Sequence, residues 1–389
     1  MVKAGVDRIY EPHVRRLLEG KRIGICGGAS ALNRAYLGTI EAMTECFRVV
    51  ALYAPEHGGR GVLGPGETVE NGVDKISGIA SFSLFGDMMF SENQEQKNSV
   101  YAPGELPIDI LVFDMQDVGS RYFTYASTLF YCMQACAKKG IPLCVLDRPN
   151  PIGGAVQGNV SKPELSSFIG LTQVPIRHGM TLGELARLYN GEYLLGCELY
   201  VIELDGWKRD MFFSDTGLPF IKPSPNLPTM EAITVYNGTC LFAGTNVSEG
   251  RGTTTPFTTV GAPYINPVHL AGQMNGLHLD GLAFSPAFFK PAYGKHANTV
   301  CYGVNIHVLD QRAVKPIDLG VKMMRTIQQM YPNDFAFNPP PVGGRWHIDL
   351  ASGNTDLRTS QASADQILVR WQEQADAFMQ VYDTYRIYE

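Results

Sequence analysis

Five short, nearly unbroken apolar runs constrain this chain more than any other feature: Arg22–Cys26, Arg48–Tyr53, Asp109–Asp114, Pro142–Leu146 and Leu199–Leu204. They are rich in Val, Ile and Leu and do not alternate with polar residues, the pattern of strands covered on both faces. Between them lie segments of helical periodicity at about Leu32–Cys46, Tyr125–Lys139 and Thr181–Tyr193. The last opens on Thr181 and carries Glu184 three residues on, a capping-box pattern. Strands and helices in alternation predict an α/β fold on a doubly wound parallel sheet.

Two segments break the rhythm. Ser81–Leu106 is polar, with Gly86 and Pro103, and reads as a long excursion that could cover a site. Gly206–Pro263 is rich in Gly, Pro, Ser and Thr and reads mostly as loop. Beyond it, Ala283–Asp310 alternates with aromatics, as strands do, and Pro316–Tyr331 and Ser363–Tyr385 are amphipathic. A length of 389 residues suits two domains. The boundary is expected near residue 262, giving 1–262 and a smaller α/β domain, 263–389.

Hydrophobic residues make up 45% of the chain and charged residues 18%, enough apolar material for a sizeable core. A formal charge of -6 without a basic stripe argues against a nucleic-acid partner. No stretch has the length of a membrane span, and the polar start lacks a signal-peptide core, so the chain reads as soluble. The eight cysteines include no CxxC pair and read as small buried apolar residues.

Ligands of parallel sheets bind where strands end, so the following loops carry the functional signal. The second run leads into Ala54-Pro55-Glu56-His57-Gly58-Gly59-Arg60-Gly61. The third leads into Met115-Gln116-Asp117-Val118-Gly119-Ser120-Arg121-Tyr122, and the fourth into Asp147-Arg148-Pro149-Asn150. Three successive loops carrying both carboxylates and arginine predict a polar cleft. Arg177 and His178 precede a helix start, whose amides suit an anionic or polar group. Asn226 lies in PSPNLP, and Asn246, Glu249 and Arg251 in the Gly-spaced run 244–253.

The sequence has no GxSxG elbow, no P-loop and no HExxH. GICGG follows a strand but lacks the GxGxxG fingerprint, so no dinucleotide is expected. His57 and His178 lack metal-ligand spacing, so no metal or other cofactor is expected. Carboxylates among arginines, asparagines and aromatics suit glycoside hydrolysis. That chemistry needs one carboxyl kept protonated as acid. A second group must activate water, attack the anomeric carbon or assist the substrate's acetamido group.

The runs APEHGGRG (54–61), DILVFDMQDVGSRYFTY (109–125), VLDRPNPIGG (145–154), IRHGMTLGELA (176–186), PSPNLP (223–228), GTNVSEGRGTTTPF (244–257), GAPYI (261–265) and CYGVNIHV (301–308) resemble the exo-β-N-acetylmuramidases of the NamZ type, formerly a domain of unknown function. The resemblance covers about residues 20–386 in family order. It implies a Rossmann-like N-terminal domain, a smaller C-terminal α/β domain and a cleft at their junction. It also implies removal of terminal N-acetylmuramic acid from peptidoglycan fragments in bacterial cell-wall turnover, often by exported proteins. The glutamate of PEHG, here Glu56, is the family's proposed acid/base. Three departures stand out: Ala243 where many members carry Glu, CGGAS in the first-strand region, and GSRYFTY for GxRFYTY.

Glu56 is therefore the expected general acid/base, with His57 orienting it. Asp117 and Glu249 lead the candidates for the second group, ahead of Asp114 and Asp147, which close strands. Recognition of muramic acid's lactyl carboxylate calls for a guanidinium from among Arg60, Arg121, Arg148, Arg177 and Arg251. Tyr122, Tyr125 or Trp207 could stack on the sugar, and Asn226, Asn246 and His178 could reach its polar groups. Alternative readings are a non-catalytic muropeptide-binding protein, a hydrolase of a related amino sugar, or a nucleotide-binding protein. Oligomeric state is not legible.

Overall fold

The structure, a computed structural model, describes residues 1–64, 67, 69–84, 108–340 and 344–389. The five apolar runs become β1 (Ile23–Gly27), β2 (Val49–Ala54), β5 (Ile110–Asp114), β6 (Leu143–Leu146) and β9 (Leu199–Ile202). With β3 (Gly72–Val73) and β4 (Ala80–Ser83) they form a seven-stranded sheet in the order β3-β4-β2-β1-β5-β6-β9. Every pairing is parallel except β3 with β4. The order reverses between β1 and β5, the switch point of a doubly wound fold.

Alternate residues of these strands enter different cores. Ile110, Val112, Cys144 and Leu146 pack with Val14, Leu18 and Met43 on one face. Leu111, Phe113, Leu143 and Val145 pack with Leu129, Met133 and Leu185 on the other. Burial on both faces is why the runs show no polar alternation. The helices over the second face span Tyr125–Lys139 and Leu182–Glu192. Thr181 caps the latter, accepting from Glu184 N at 3.2 Å, while the Glu184 carboxylate accepts from Thr181 N at 3.0 Å.

Residues 32–38 depart from the expected helix, which starts only at Thr39. The Asn33 carboxamide oxygen accepts from Ala35 N and Leu37 N, both at 2.9 Å, and this local bonding displaces the helical ladder. The opposite occurs in the segment expected to be mostly loop: Met230–Thr239 is a helix. Thr229 caps it, and every side chain from Ala232 to Thr239 is buried, so packing overrides its poor helix formers. The proposed excursion over residues 81–106 lies largely outside the described residues.

The second sheet is antiparallel, with β10 (Thr259–Ala262), β12 (Cys301–Val308) and β11 (Leu282–Phe289) side by side. A division at residue 262 groups β10 with the first sheet by position, whereas its ladder joins it to β12. The helices Met230–Thr239 and Pro316–Met330 cross at a glycine pair. A Cβ added to Gly238 would lie 1.9 Å from Pro316 O and 2.8 Å from Gly320 N. The long helix Ala364–Tyr385 returns to pack on β7 (Gln157–Val160), which pairs with β8 (Pro175–Arg177), and on the 182–192 helix. One continuous core thus runs from Cys26 to Tyr382. Among the described residues, no helix is long and apolar enough to cross a membrane. All eight cysteines are free and all but Cys46 are buried.

Candidate active site

At the carboxyl ends of the central strands lies a cavity of about 120 Å³. Glu56 and His57 reach it from the turn after β2, and Tyr122, Phe123 and Thr124 from the segment after β5. Ser224, Asn226, Tyr236, Ala243, Arg251, Phe257 and His347 close the other side. Among the described residues, Glu56 is the one carboxylate that lines it. A second cavity of about 530 Å³ shares Ala243, Arg251 and His347 with the first and adds Glu249, Tyr293 and Lys295.

A tight coil presents Glu56. Gly58 N bonds Pro55 O at 2.9 Å, and His57 and Gly58 both take the left-handed backbone, at φ 72° and 75°. Such a conformation is uncommon for histidine and natural for glycine. His57 Nδ1 donates to Leu63 O at 3.0 Å, because a carbonyl can only accept, so the ring is fixed through that nitrogen. Thr124 Oγ1 donates to Glu56 Oε2 at 2.6 Å and aims the carboxylate. Tyr236 packs edge-on against Tyr122, Phe123 and Phe257, giving the cavity an aromatic wall.

Arg251 lies over the Phe257 ring, 5.2 Å from its centroid. Its Nη1 pairs with Glu249 Oε1 at 3.3 Å, and a third of its side chain, 33%, is exposed toward the cavities it lines. Glu249 is itself buried, and its Oε2 accepts from Lys295 Nζ at 2.8 Å. Burial alone would raise the Glu249 carboxyl. The charges of Lys295 and Arg251 outweigh it and hold the group below the ordinary glutamate value. His347, which lines both cavities, is pushed below its ordinary value by desolvation and then by the charges of Lys295 and Arg251.

The remaining arginines are engaged elsewhere. Arg60 binds Asp74 at 2.7 Å and Glu41 at 2.6 Å. Arg121 is fully enclosed and donates to the carbonyls of Asn159, Val174, Ala351 and Ser352. It thereby rivets the end of the helix His347–Ser352 to the larger sheet's side of the molecule, and burial lowers its guanidinium to about 10. Arg148 forks onto Asp114 at 2.5 and 3.0 Å at the carboxyl end of β5. Arg177 donates to Ile152 O at 2.5 Å and is lowered to about 10 by burial. None of these four lines the cavity.

Asp117 and His178 form a buried couple at 3.4 Å, with Asp117 Oδ2 also accepting from Gly119 N at 2.7 Å. They too lie outside the lining. The helix start beyond His178 is already filled from within: Gly183 N donates to Asp147 Oδ1 at 2.9 Å and Thr181 Oγ1 to Asp147 Oδ2 at 2.7 Å. Asn246 is bound to Asp334 O, Tyr264 Oη and Ala336 N and braces its loop. Asn226 lines the cavity and accepts from Tyr293 Oη at 2.9 Å. Tyr125 donates to Pro223 O, and Trp207 packs on Tyr388 in the core on the other face of the sheet. Among the described residues, no group of three or more His, Cys, Asp or Glu is placed to hold a metal ion.

The structure brings Glu56, His57, Tyr122, Asn226 and Arg251 together. It adds residues the sequence reading missed. Thr124, Ser224 and Phe257 sit inside the distinctive runs and could have been taken from them. Tyr236, Lys295 and His347 lie in segments with no recognisable spacing.

Models of the family described as exo-beta-N-acetylmuramidase NamZ match this chain twice, the N-terminal part over residues 23–231 and the C-terminal part over 234–388. The chain belongs to the NamZ family. The peptidoglycan beta-N-acetylmuramidase NamZ of Bacillus subtilis is 39% identical over 393 residues, covering 100% of this chain and 91% of the relative. Two crystal structures of DUF1343 family proteins from Bacteroides fragilis are also similar. One has a TM-score of 0.87 at 32% identity and the other 0.75 at 30%, each covering 100% of this chain and 99% of its own. The NamZ fold of this chain is thus α/β, with a mostly parallel sheet beside a smaller antiparallel one.

Proposed function

We propose that this chain is an exo-acting β-N-acetylmuramidase that releases terminal N-acetylmuramic acid from peptidoglycan fragments, with Glu56 as general acid/base. The observation that carries the reading is the placement of Glu56. It is aimed by Thr124 into a cavity with an aromatic wall and one guanidinium, Arg251. Protonation of the leaving oxygen needs a fixed carboxyl in a partly desolvated setting. The aromatic wall suits the apolar face of a sugar ring. Arg251 suits the lactyl carboxylate that separates muramic acid from glucosamine, since a guanidinium fork matches a carboxylate. Glu249, held below the ordinary glutamate value and lining the second cavity, anchors Arg251 rather than sharing the first cavity with Glu56. Membership in the NamZ family supports the same substrate class.

The test is chromophore release from para-nitrophenyl β-N-acetylmuraminide, with the β-N-acetylglucosaminide alongside. Wild type is expected to cleave the muraminide selectively. Glu56→Gln is expected to keep its fold and lose roughly 10²–10⁴-fold in kcat, the usual weight of general acid–base catalysis. Wild-type turnover in Glu56→Gln would refute the assignment of the acid/base.

A further inference from the structure

Lys295 stands in the connection between β11 and β12, far in sequence from every run that carries the site, yet it is built into it. An ammonium has three N–H donors. Lys295 uses them on Phe242 O at 2.6 Å, Val247 O at 2.9 Å and Glu249 Oε2 at 2.8 Å. Its neighbour His296 adds a contact between Nε2 and Asn246 O at 2.7 Å, and Ala292 N bonds Gly252 O at 2.8 Å. The 291–299 segment therefore clamps the loop that carries Glu249 and Arg251.

The charges decide what the clamp is for. Lys295 and Arg251 share one carboxylate, Glu249, so the triad carries one net positive charge. Lys295 has no donor left for a ligand. Among the described residues, Arg251 pairs with Glu249 through Nη1 and lines both cavities, where the Glu56 charge also acts on it. The surplus charge therefore resides on Arg251. Without Lys295, Glu249 and Arg251 would form a neutral pair and the surplus would vanish.

We propose that Lys295 is a positioning residue that, by satisfying Glu249, leaves the Arg251 charge available for the carboxylate of the substrate. This inference rests on the reading of Arg251 as the lactyl-carboxylate group. A charge-assisted bond is worth about 1.5–3 kcal/mol, so its loss weakens binding about tenfold or more.

The experiment is calorimetric titration of wild type, Lys295→Met, Lys295→Arg and the double variant Lys295→Met/Glu249→Gln with N-acetylmuramic acid and, separately, N-acetylglucosamine. Circular dichroism checks each fold. Lys295→Met is expected to bind N-acetylmuramic acid about tenfold more weakly and N-acetylglucosamine as wild type does. The double variant restores one net positive charge and is expected to regain most of the lost affinity. Lys295→Arg keeps the charge and is expected to keep the preference, which maintains the test if Lys295→Met fails to fold. Equal weakening toward both sugars, no recovery in the double variant, or a folded Lys295→Arg without the preference would overturn the proposal. A wild type that cleaves the muraminide while Lys295→Met keeps full preference overturns the role of Lys295 alone. A wild type that neither cleaves the muraminide nor binds either sugar overturns the function as well.

Discussion

The glycine pair where the 230–239 and 316–330 helices cross sets two well-known effects of Gly→Ala against each other. In an exposed helix the change stabilises by up to about 1 kcal/mol, because alanine loses less backbone freedom on folding. At Gly238 the new Cβ would stand 1.9 Å from Pro316 O and 2.8 Å from Gly320 N, where ordinary contact begins near 3.4 Å. Both obstacles are backbone atoms, so no side chain can swing aside. The crossing must widen by roughly 1.5 Å, and overpacking of a tight core costs about 1–3 kcal/mol or more. Since a whole helix must shift, the cost falls at the upper end. Gly238→Ala is therefore expected to lose about 2 kcal/mol net.

Gly272 supplies the control. It lies in the helix Pro267–Gly276, is exposed, and a Cβ there would meet nothing within 4 Å. Gly272→Ala is expected to gain up to about 1 kcal/mol. Urea titrations of the two variants should move in opposite directions from wild type. A midpoint for Gly238→Ala at or above the wild-type value would refute the reasoning. Tyr236 and Cys240, which flank Gly238, line the cavity proposed as the active site, so the same variant should also lose activity.

Three further outcomes follow from the geometry. Arg121→Met leaves four backbone carbonyls without their charged donor, and at about 1 kcal/mol each the loss should reach roughly 4 kcal/mol in urea titration; a loss below about 1 kcal/mol would refute the rivet. Arg251→Lys keeps the charge and loses the planar fork, so KM for the muraminide should rise about tenfold while kcat stays within a few-fold, and an unchanged KM would argue against Arg251 as the anion site. Burial lifts the Asp147 carboxyl to about 7, against hydrogen bonds from Tyr388, Thr181 and Gly183 that pull it down. From the unfolded value near ~3.9 up to the folded one, the folded chain keeps a proton that the unfolded chain releases, so this group's contribution to stability falls as pH rises, by about 4 kcal/mol in all. Asp147→Asn removes that dependence, and its stability relative to wild type should climb between pH 5 and pH 8; a constant difference would contradict the assignment.

The sheet was legible because burial on both faces leaves a mark that needs no tertiary knowledge: strands without polar positions. The cap at Thr181 was legible for a similarly local reason, since its two reciprocal bonds span three residues. The 230–239 helix was not, because its stability comes from neighbours distant in sequence rather than from its own residues. The site divides in the same way. Glu56 and Arg251 sit in distinctive runs. The arginines, in contrast, looked equivalent, because a sequence does not tell which carboxylate or carbonyl each guanidinium will meet. Arg60 meets Asp74, Arg148 meets Asp114, and Arg121 meets four carbonyls. Lys295 and His347 reach the cleft only through the return of the C-terminal chain across the first sheet's loops.

That return has a consequence for how such a protein can change over generations. The helix Ala364–Tyr385 belongs to the second matched segment yet packs on β7 of the first, and one apolar core runs through both. Each segment therefore supplies part of the other's interior. A hybrid gene that joins the first segment of one relative to the second of another would pair two surfaces shaped in different company. Substitutions at the seam, such as those around Val160 and Gln374, where the Gln374 side chain accepts from Val160 N at 3.2 Å, must then arise in matched sets, and the two segments are inherited as one unit.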